Sequence, residues 1–229
     1  MIDQQRVKAL AKEFASEIIG IRRHIHANPE LSYQEYETAK YVAAKLREFG
    51  LEPQEGIAET GVVALIKGQN PEKRTVALRG DMDALPITEK NDIDYKSKNV
   101  GVMHACGHDV HTSCLLGAAK ILNELKDSFE GTIKLVFQPG EEKNPGGASL
   151  MIRDGVLKNP RPDAMLGQHV MPFIPTGKVG FREGKYMASA DEVFLTVKGK
   201  GGHAALPDRT VDPIVIAAQI VTALQQVIS

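Results

Sequence analysis

The densest group of potential metal ligands in the sequence lies between residues 104 and 111, where three histidines, a cysteine and an aspartate occur within eight positions. Thiolate and imidazole are ligands that zinc and neighbouring transition metals prefer. Cys106 and His108 stand two positions apart in a loop and can therefore point at the same metal cluster. Unrelated surface histidines seldom reach such a density, so the segment predicts a transition-metal site.

Two adjacent carboxylates, Glu141 and Glu142, follow a predicted strand. Taken alone, they are typical of a solvated loop. Beside a metal, one of them can bind the ion while the other acts as general base on a water molecule, as metal-assisted hydrolysis requires. His169 offers a further imidazole after another strand, and Asp81 and Asp83 can orient a ligating histidine. Together these residues predict a hydrolytic metal centre.

The hydrophobic pattern predicts the elements that hold these residues. Apolar residues recur every three or four positions before Asn28 and again before Gly50, which indicates two helices. Strands are predicted over residues 62–66, 75–78, 132–137 and 164–167, and helices over 111–125 and 148–152. This order favours an α/β fold with helices on both faces of a sheet, in which ligands bind beyond the carboxyl ends of the strands. Residues 80–83, 139–142 and 168–169 all follow strands, so we expect them to meet.

The pattern changes after Gly184. A strand predicted over residues 193–197 leads into a glycine-rich loop that ends at His203, and residues 213–227 are predicted to be helical. A lone strand and helix cannot bury their own apolar faces. We therefore predict one domain over residues 1–185 and an incomplete second domain over residues 186–229, and we expect the chain to be the N-terminal piece of a longer protein.

Composition and charge narrow the function classes. The chain has 229 residues, with 28 Lys and Arg against 29 Asp and Glu, so the formal charge of −1 favours neither nucleic acid nor an anionic membrane as a partner. The N-terminus does not resemble a signal peptide, and no apolar run reaches the ~18 residues of a membrane span. Two cysteines are too few for a disulfide scaffold and favour a reducing compartment, so we expect a cytoplasmic protein.

Five strings resemble, in their order, the amidohydrolase branch of the aminoacylase and carboxypeptidase-type dinuclear metallopeptidases. They are RGDMDALP (79–86), MHACGHDVHT (103–112), FQPGEE (137–142), GQHV (167–170) and GKGGHAALP (199–207). The opening IRRHIHANPELSYQE is similar as well, so the resemblance covers nearly the whole chain. That branch includes hippurate hydrolases and N-acyl-amino-acid amidohydrolases. The resemblance implies a catalytic domain with a mixed, mostly parallel sheet and a smaller α+β lid domain, through which the full-length protein forms a homodimer.

The resemblance also implies roles for single residues. Two divalent metal ions, with zinc, manganese, nickel or cobalt as candidates, would have four ligands in this chain: Cys106, His108, Glu142 and His169. Glu141 would be the general base, Asp83 a supporting carboxylate, and His203 a lid residue that reaches a substrate or transition-state oxygen. The implied reaction is hydrolysis of the amide bond of a small N-acyl amino acid. Relatives are longer and supply a final histidine ligand after the lid, so we expect residues 1–229 alone to bind metal incompletely and to turn over little.

Two other functions stay open. Cys106 could be a thiolate nucleophile with a nearby histidine as base, although Glu141, Glu142 and His169 would then have no role. The chain could also be a catalytically silent module that binds a structural metal, which a closed tetrahedral site would indicate. Removal and restoration of metal would separate the first alternative from metal-dependent hydrolysis.

Overall fold

The computed structural model describes residues 3–189 and 191–227. The chain forms two compact units, Met1–Phe173 and Ile174–Ser229. The predicted domain boundary between residues 185 and 186 stays a prediction.

The first unit is built on a five-stranded sheet with the order β1-β2-β4-β3-β5. Its strands are β1 (Gln54–Ile57), β2 (Gly61–Lys67), β3 (Thr75–Asp81), β4 (Thr132–Gln138) and β5 (Ala164–Gly167). The strand β3 runs parallel to both β4 and β5, whereas β2 runs antiparallel to β1 and β4. The predicted mixed sheet is thus confirmed, with its parallel part at the β4-β3-β5 side. A short turn joins β1 to β2 as an antiparallel hairpin.

Helices cover both faces of this sheet, as predicted. They are α1 (Gln4–Ala27), α2 (Tyr36–Glu48), α3 (His108–Glu124) and α4 (Gly147–Arg153). Because side chains alternate along a strand, β2 and β4 contribute to a separate core on each face. Val62 and Phe137 lie in the larger core with residues of α1, α2 and α3, while their neighbours Val63 and Val136 pack with Met151 of α4.

The parallel part of the sheet brings three loops to one edge. Asp81 at the end of β3 is paired with Gln138 at the end of β4, and Arg79 is paired with Gly167 at the end of β5. The segments that follow these strands therefore leave the sheet side by side, as expected. The helix α3 begins beside them after Gly107, whose φ of 90° favours glycine, and an added Cβ there would lie 2.4 Å from Val170 Cγ2.

The second unit contains α5 (Pro213–Leu224), at whose start Asp212 accepts a hydrogen bond from Ile214 N at 2.8 Å. The predicted helix is therefore present, but the strand predicted over residues 193–197 is wrong, because residues 191–199 are irregular. A strand needs a backbone partner, and in the described part of this unit only Lys200 and Val211 form a β-bridge. Across the residues that the structure describes, no helix is both long enough and apolar enough to cross a bilayer.

Candidate metal centre

His108, the first residue of α3, presents one free ring nitrogen to a group of carboxylates. Its Nδ1 lies 2.8 Å from the carbonyl oxygen of Asp83, and because a carbonyl can only accept, Nδ1 carries the proton. Its Nε2 is buried and has no hydrogen-bond partner among the described residues. Oxygens of Asp81, Glu141 and Glu142 lie 3.7, 3.9 and 3.7 Å from this Nε2. A bound cation would explain a buried, unpaired imidazole nitrogen among carboxylates.

His169 is held in the same tautomer and faces Cys106. Its Nδ1 donates to the carbonyl oxygen of Val170 at 2.7 Å, which leaves Nε2 unprotonated, and this Nε2 accepts a hydrogen bond from Cys106 Sγ at 3.4 Å. Cys106, His108 and His169 offer ligand atoms that all lie within 4.8 Å of one another. These three predicted ligands are thus brought together, although they come from a loop, a helix start and the end of a strand.

The environment of Cys106 does not stabilise a thiolate unless a metal ion is bound to it. Burial raises the pKa of its thiol to about 12, and the negative charges of Glu142 and Glu141 contribute to the rise. A nucleophilic cysteine needs a lowered pKa, which argues against the thiolate-nucleophile alternative. Coordination to a metal ion deprotonates a thiol, so a divalent cation would suit this group of one sulfur and several carboxylates.

Glu141 and Glu142 form a second group with His108, in which the three ligand atoms again lie within 4.8 Å of one another. Their side chains are 42% and 22% exposed, so both remain accessible from solvent. Burial raises the pKa of Glu141, and the charge of Glu142 raises it further. A shift in this direction brings a carboxylate closer to the pH range in which a general base can both take up and release a proton. The pair can thus supply one ligand and one base.

Asp81 and His111 support the loop that carries His169. Val170 N donates to Nε2 of His111 at 2.9 Å, so the ring proton is on Nδ1, which donates to Asp81 Oδ1 at 2.6 Å. The other oxygen of Asp81 accepts from Arg79 Nη1 at 2.6 Å. Burial would raise the pKa of Asp81, but the His111 hydrogen bond and the charge of Arg79 outweigh it and hold this pKa at about 2.

His111 is a residue whose role the sequence pattern left unassigned. Its ligand atoms are close to those of Asp81 and His108, yet both of its nitrogens are already hydrogen-bonded. It therefore orients its neighbours rather than offering a free ligand atom. Its position three residues after His108 on α3, and so on the same side of the helix, is the signal that could have found it.

The remaining predicted residues fall in two places. Asp83 is buried beside His108 and also accepts a hydrogen bond from Glu142 N at 3.0 Å. His203 belongs to the second unit, is exposed, and accepts a hydrogen bond from Ala205 N at 3.1 Å. His26, to which the sequence pattern assigns no role, is buried between Asp109 and Glu89.

The donor set around His108, with sulfur, imidazole nitrogen and carboxylate oxygen, suits a divalent transition metal.

Comparisons with known proteins agree with this chemistry. N-acyl-L-amino acid amidohydrolase of Geobacillus stearothermophilus is 46% identical over 226 residues, which are 99% of this chain and 60% of that protein. N-acetyl-L-cysteine deacetylase of Bacillus subtilis is 47% identical over 213 residues, 93% of this chain and 50% of that protein. The crystal structure of a Bacillus subtilis dinuclear metal binding peptidase from the M20 family has a TM-score of 0.71 and 41% identity, over 76% of this chain and 48% of that chain.

The chain therefore spans 50% to 60% of the length of these two curated relatives. Divalent metal binding is supported both by the candidate ligand groups and by the dinuclear neighbour. The model of the family described as peptidase family M20/M25/M40 matches residues 77–229, well over half of the chain. This protein belongs to peptidase family M20/M25/M40.

Proposed function

We propose that the whole protein hydrolyses the amide bond of N-acyl amino acids with the help of two divalent metal ions. The observation that carries the proposal is the convergence of Cys106 Sγ and the unprotonated Nε2 atoms of His108 and His169 next to two carboxylates. A purely structural metal site has no use for a carboxylate beyond its ligands. The spare carboxylate therefore favours a hydrolase over a silent binding module.

In this proposal the chain's own residues hold the ions and prepare the proton transfers. Bound divalent ions supply Lewis acidity, which makes water more acidic and polarises a carbonyl group. The ions would be held by the four ligands Cys106, His108, Glu142 and His169. Asp83 keeps the proton of His108 on Nδ1 and so directs Nε2 toward the site. Asp81 keeps the proton of His111 on Nδ1, so that His111 Nε2 can accept from Val170 N and fix the backbone next to His169.

Glu141 is the general base in the proposed reaction. It takes a proton from the attacking water and later gives it to the leaving amine, for which a raised carboxyl pKa is an advantage. His203 of the second unit is proposed to donate a hydrogen bond to the oxyanion of the tetrahedral intermediate. Such donors typically contribute about 2.7 to 4 kcal/mol to transition-state stabilisation.

The same proposal includes the substrate class, the metal, the oligomeric state and the location of the protein. The names of the two curated relatives support acylated amino acids as substrates, with N-benzoylglycine as the aromatic example to test. A cysteine ligand favours zinc, nickel or cobalt, and manganese is the fourth candidate. We propose a homodimer formed through the lid and a cytoplasmic location, the latter because both cysteines are free and one of them is a proposed ligand.

The test is removal and restoration of metal in the whole protein. After chelation, zinc, manganese, nickel or cobalt is added back, and the release of amine from N-acetyl and N-benzoyl amino acids is measured. We expect activity to disappear on chelation and to return with metal, and we expect Cys106→Ser but not the exposed Cys114→Ser to block the return. Activity that survives chelation would favour the cysteine nucleophile, and no activity in any metal form would favour the binding module.

The same assay on residues 1–229 tests the ligand count. Two ions that each need about four ligands are incompletely served by one cysteine, two histidines and one glutamate. We therefore expect little turnover from this chain alone. Robust metal-dependent hydrolysis by residues 1–229 would contradict that expectation.

A further inference from the structure

The segment formed by residues 32–35, at the end of the connection between α1 and α2, contacts the loop that carries Glu141 and Glu142. We call this loop, residues 139–146, the acidic loop. The segment lies outside the family match over residues 77–229 and contributes no atom to the candidate metal groups of the described residues. Two of its side chains nevertheless bind the acidic loop directly, and a third binds Asp83, which in turn binds that loop.

Glu35 fixes the backbone immediately before the general base. Its side chain is fully buried, and its Oε1 accepts a hydrogen bond from Gly140 N at 2.7 Å. Its Oε2 accepts from Thr60 Oγ1 at 2.8 Å, so both carboxylate oxygens are engaged. A buried carboxylate is retained only where hydrogen bonds satisfy it, and here one of those bonds sets the position of the residue next to Glu141.

Tyr33 holds the acidic loop at three points. Its hydroxyl donates to the carbonyl oxygen of Lys143 at 2.7 Å and accepts from Gly146 N at 3.0 Å. Its ring lies against Gly140, where an added Cβ would be 2.3 Å from Tyr33 Cε1. Tyr33 itself has a φ of 66°, a left-handed conformation that bulky residues rarely adopt. The surrounding contacts therefore hold this tyrosine in an unfavourable backbone conformation against the loop.

Ser32 connects the acidic loop to the histidine at the centre of the site. Its Oγ donates to Asp83 Oδ2 at 2.7 Å, and the same oxygen accepts from Glu142 N at 3.0 Å. Asp83 also fixes the tautomer of His108 through its carbonyl oxygen. Ser32 thus acts at the point where the backbone of Glu142 meets the support of His108.

These contacts surround the Glu141–Glu142 pair. Residues 33 and 35 bind the backbone at positions 140, 143 and 146 directly, and Ser32 acts on Glu142 N through Asp83. We propose that residues 32–35 position the acidic loop, with Ser32, Tyr33 and Glu35 as positioning residues for the base and the adjacent ligand. The inference rests on the proposed function, which makes Glu142 a ligand and Glu141 the base. Loss of supporting contacts of this kind typically lowers metal affinity or activity about 10- to 100-fold.

The test compares two tyrosine variants in the whole protein. Tyr33→Phe removes only the hydroxyl that binds the acidic loop, and Tyr36→Phe, at a side chain 52% exposed at the start of α2, is the matched control. Co²⁺ is titrated as the probe and its visible absorption is recorded. We expect Tyr33→Phe to weaken Co²⁺ binding about 10-fold and to change the spectrum, while the control stays within about twofold of the parent. Equal affinities and spectra for the two variants would overturn the proposal.

Glu35 allows a second test, which separates positioning from simple loss of packing. Glu35→Gln keeps an oxygen that can accept from Gly140 N, whereas Glu35→Leu removes every acceptor while keeping similar volume. We expect the glutamine variant to retain Co²⁺ affinity within about threefold and the leucine variant to lose about 10-fold or more. Equal affinities for both would overturn the proposal. If the leucine variant does not fold, Ser32→Ala takes its place, with the same loss expected and parent-like affinity as the contrary result.

The Co²⁺ titration also keeps the two proposals apart. A parent protein that hydrolyses no N-acyl amino acid would overturn the proposed function, but the affinities of the tyrosine and glutamate variants would still decide whether residues 32–35 position the loop. Normal hydrolysis together with identical kcat, KM and Co²⁺ affinity in Tyr33→Phe and Tyr36→Phe would overturn the positioning role alone.

Discussion

The two sides of the candidate metal centre differ sharply in burial. On one side, which we call the buried side, four residues are each at most 1% exposed and form two hydrogen-bonded pairs, Asp81 with His111 and Asp83 with His108. On the other side, the open side, Cys106 is half-buried, and Glu141 and His169 are exposed. Buried, hydrogen-bonded groups keep a fixed geometry, whereas exposed groups can be reached by a substrate. The comparison indicates that the buried side holds the site in shape and that the open side meets the substrate.

The largest expected effect is on the open side and concerns rate. We expect Glu141→Gln in the metal-loaded whole protein to lower kcat about 10²- to 10⁴-fold, because a positioned general base is lost while the size of the side chain is kept. Steady-state hydrolysis of an N-acyl amino acid measures the rate, and metal content is measured alongside.

The control for this variant is Glu72→Gln, which changes an exposed glutamate that lies in the short helix Pro71–Lys73. It should leave both kcat and metal content at the parent value. Near-normal turnover by Glu141→Gln would remove the proposed base from the mechanism and would weaken the contrast between the two sides.

The next effect is on the buried side and concerns stability. In Asp81→Asn, the amide nitrogen would face the Arg79 guanidinium or the His111 N–H, so a donor would meet a donor. Breaking a buried ion pair in this way costs about 3 to 5 kcal/mol of unfolding free energy. Urea unfolding of the metal-free chain is the measurement, with the exposed Asp92→Asn as control. A loss no larger than that of the control would show that the buried side does not hold the site in shape.

The smallest expected effect is a change in unfolding free energy on the open side. His169 is exposed, and its ring makes one hydrogen bond to the backbone of its neighbour Val170 and one to Cys106 Sγ. We expect His169→Ala to change the unfolding free energy of the metal-free chain by less than about 0.5 kcal/mol, as for most surface substitutions. The same variant should bind Co²⁺ more weakly than the parent. If it instead unfolds as readily as Asp81→Asn, the distinction between the two sides fails.

The sequence predicted the parts of the site that depend on local pattern. The segments containing Asp83, Glu142 and His169 were placed together because apolar runs mark the strands β3, β4 and β5 that precede them. The ring tautomers of His108 and His169 were not predictable, since each is set by a backbone carbonyl whose position depends on the fold. The contacts of residues 32–35 with the acidic loop join positions more than 100 residues apart, and no local pattern encodes them.

The incorrect prediction of a strand over residues 193–197 also shows that a local pattern does not reveal long-range contacts. Alternation of apolar and polar residues is a local signal, but a strand exists only where another segment pairs with it. In the first unit β2 pairs with β4, and the alternating side chains of both strands pack into two cores, one on each face of the sheet. In the described part of the second unit, residues 191–199 pair with no strand, and the apolar side chains of Val193, Phe194 and Leu195 are exposed.

The pairing of β3 with both β4 and β5 also bears on when the site can form during folding. The register partners in these two pairings are separated by about 57 to 88 residues of chain. Closing such long loops costs entropy before the contacts form, so the loops after the three strands come together only once β3 has paired with both β4 and β5. Uptake of a coloured ion such as Co²⁺ by a refolding sample would therefore report when β3 has paired with both β4 and β5.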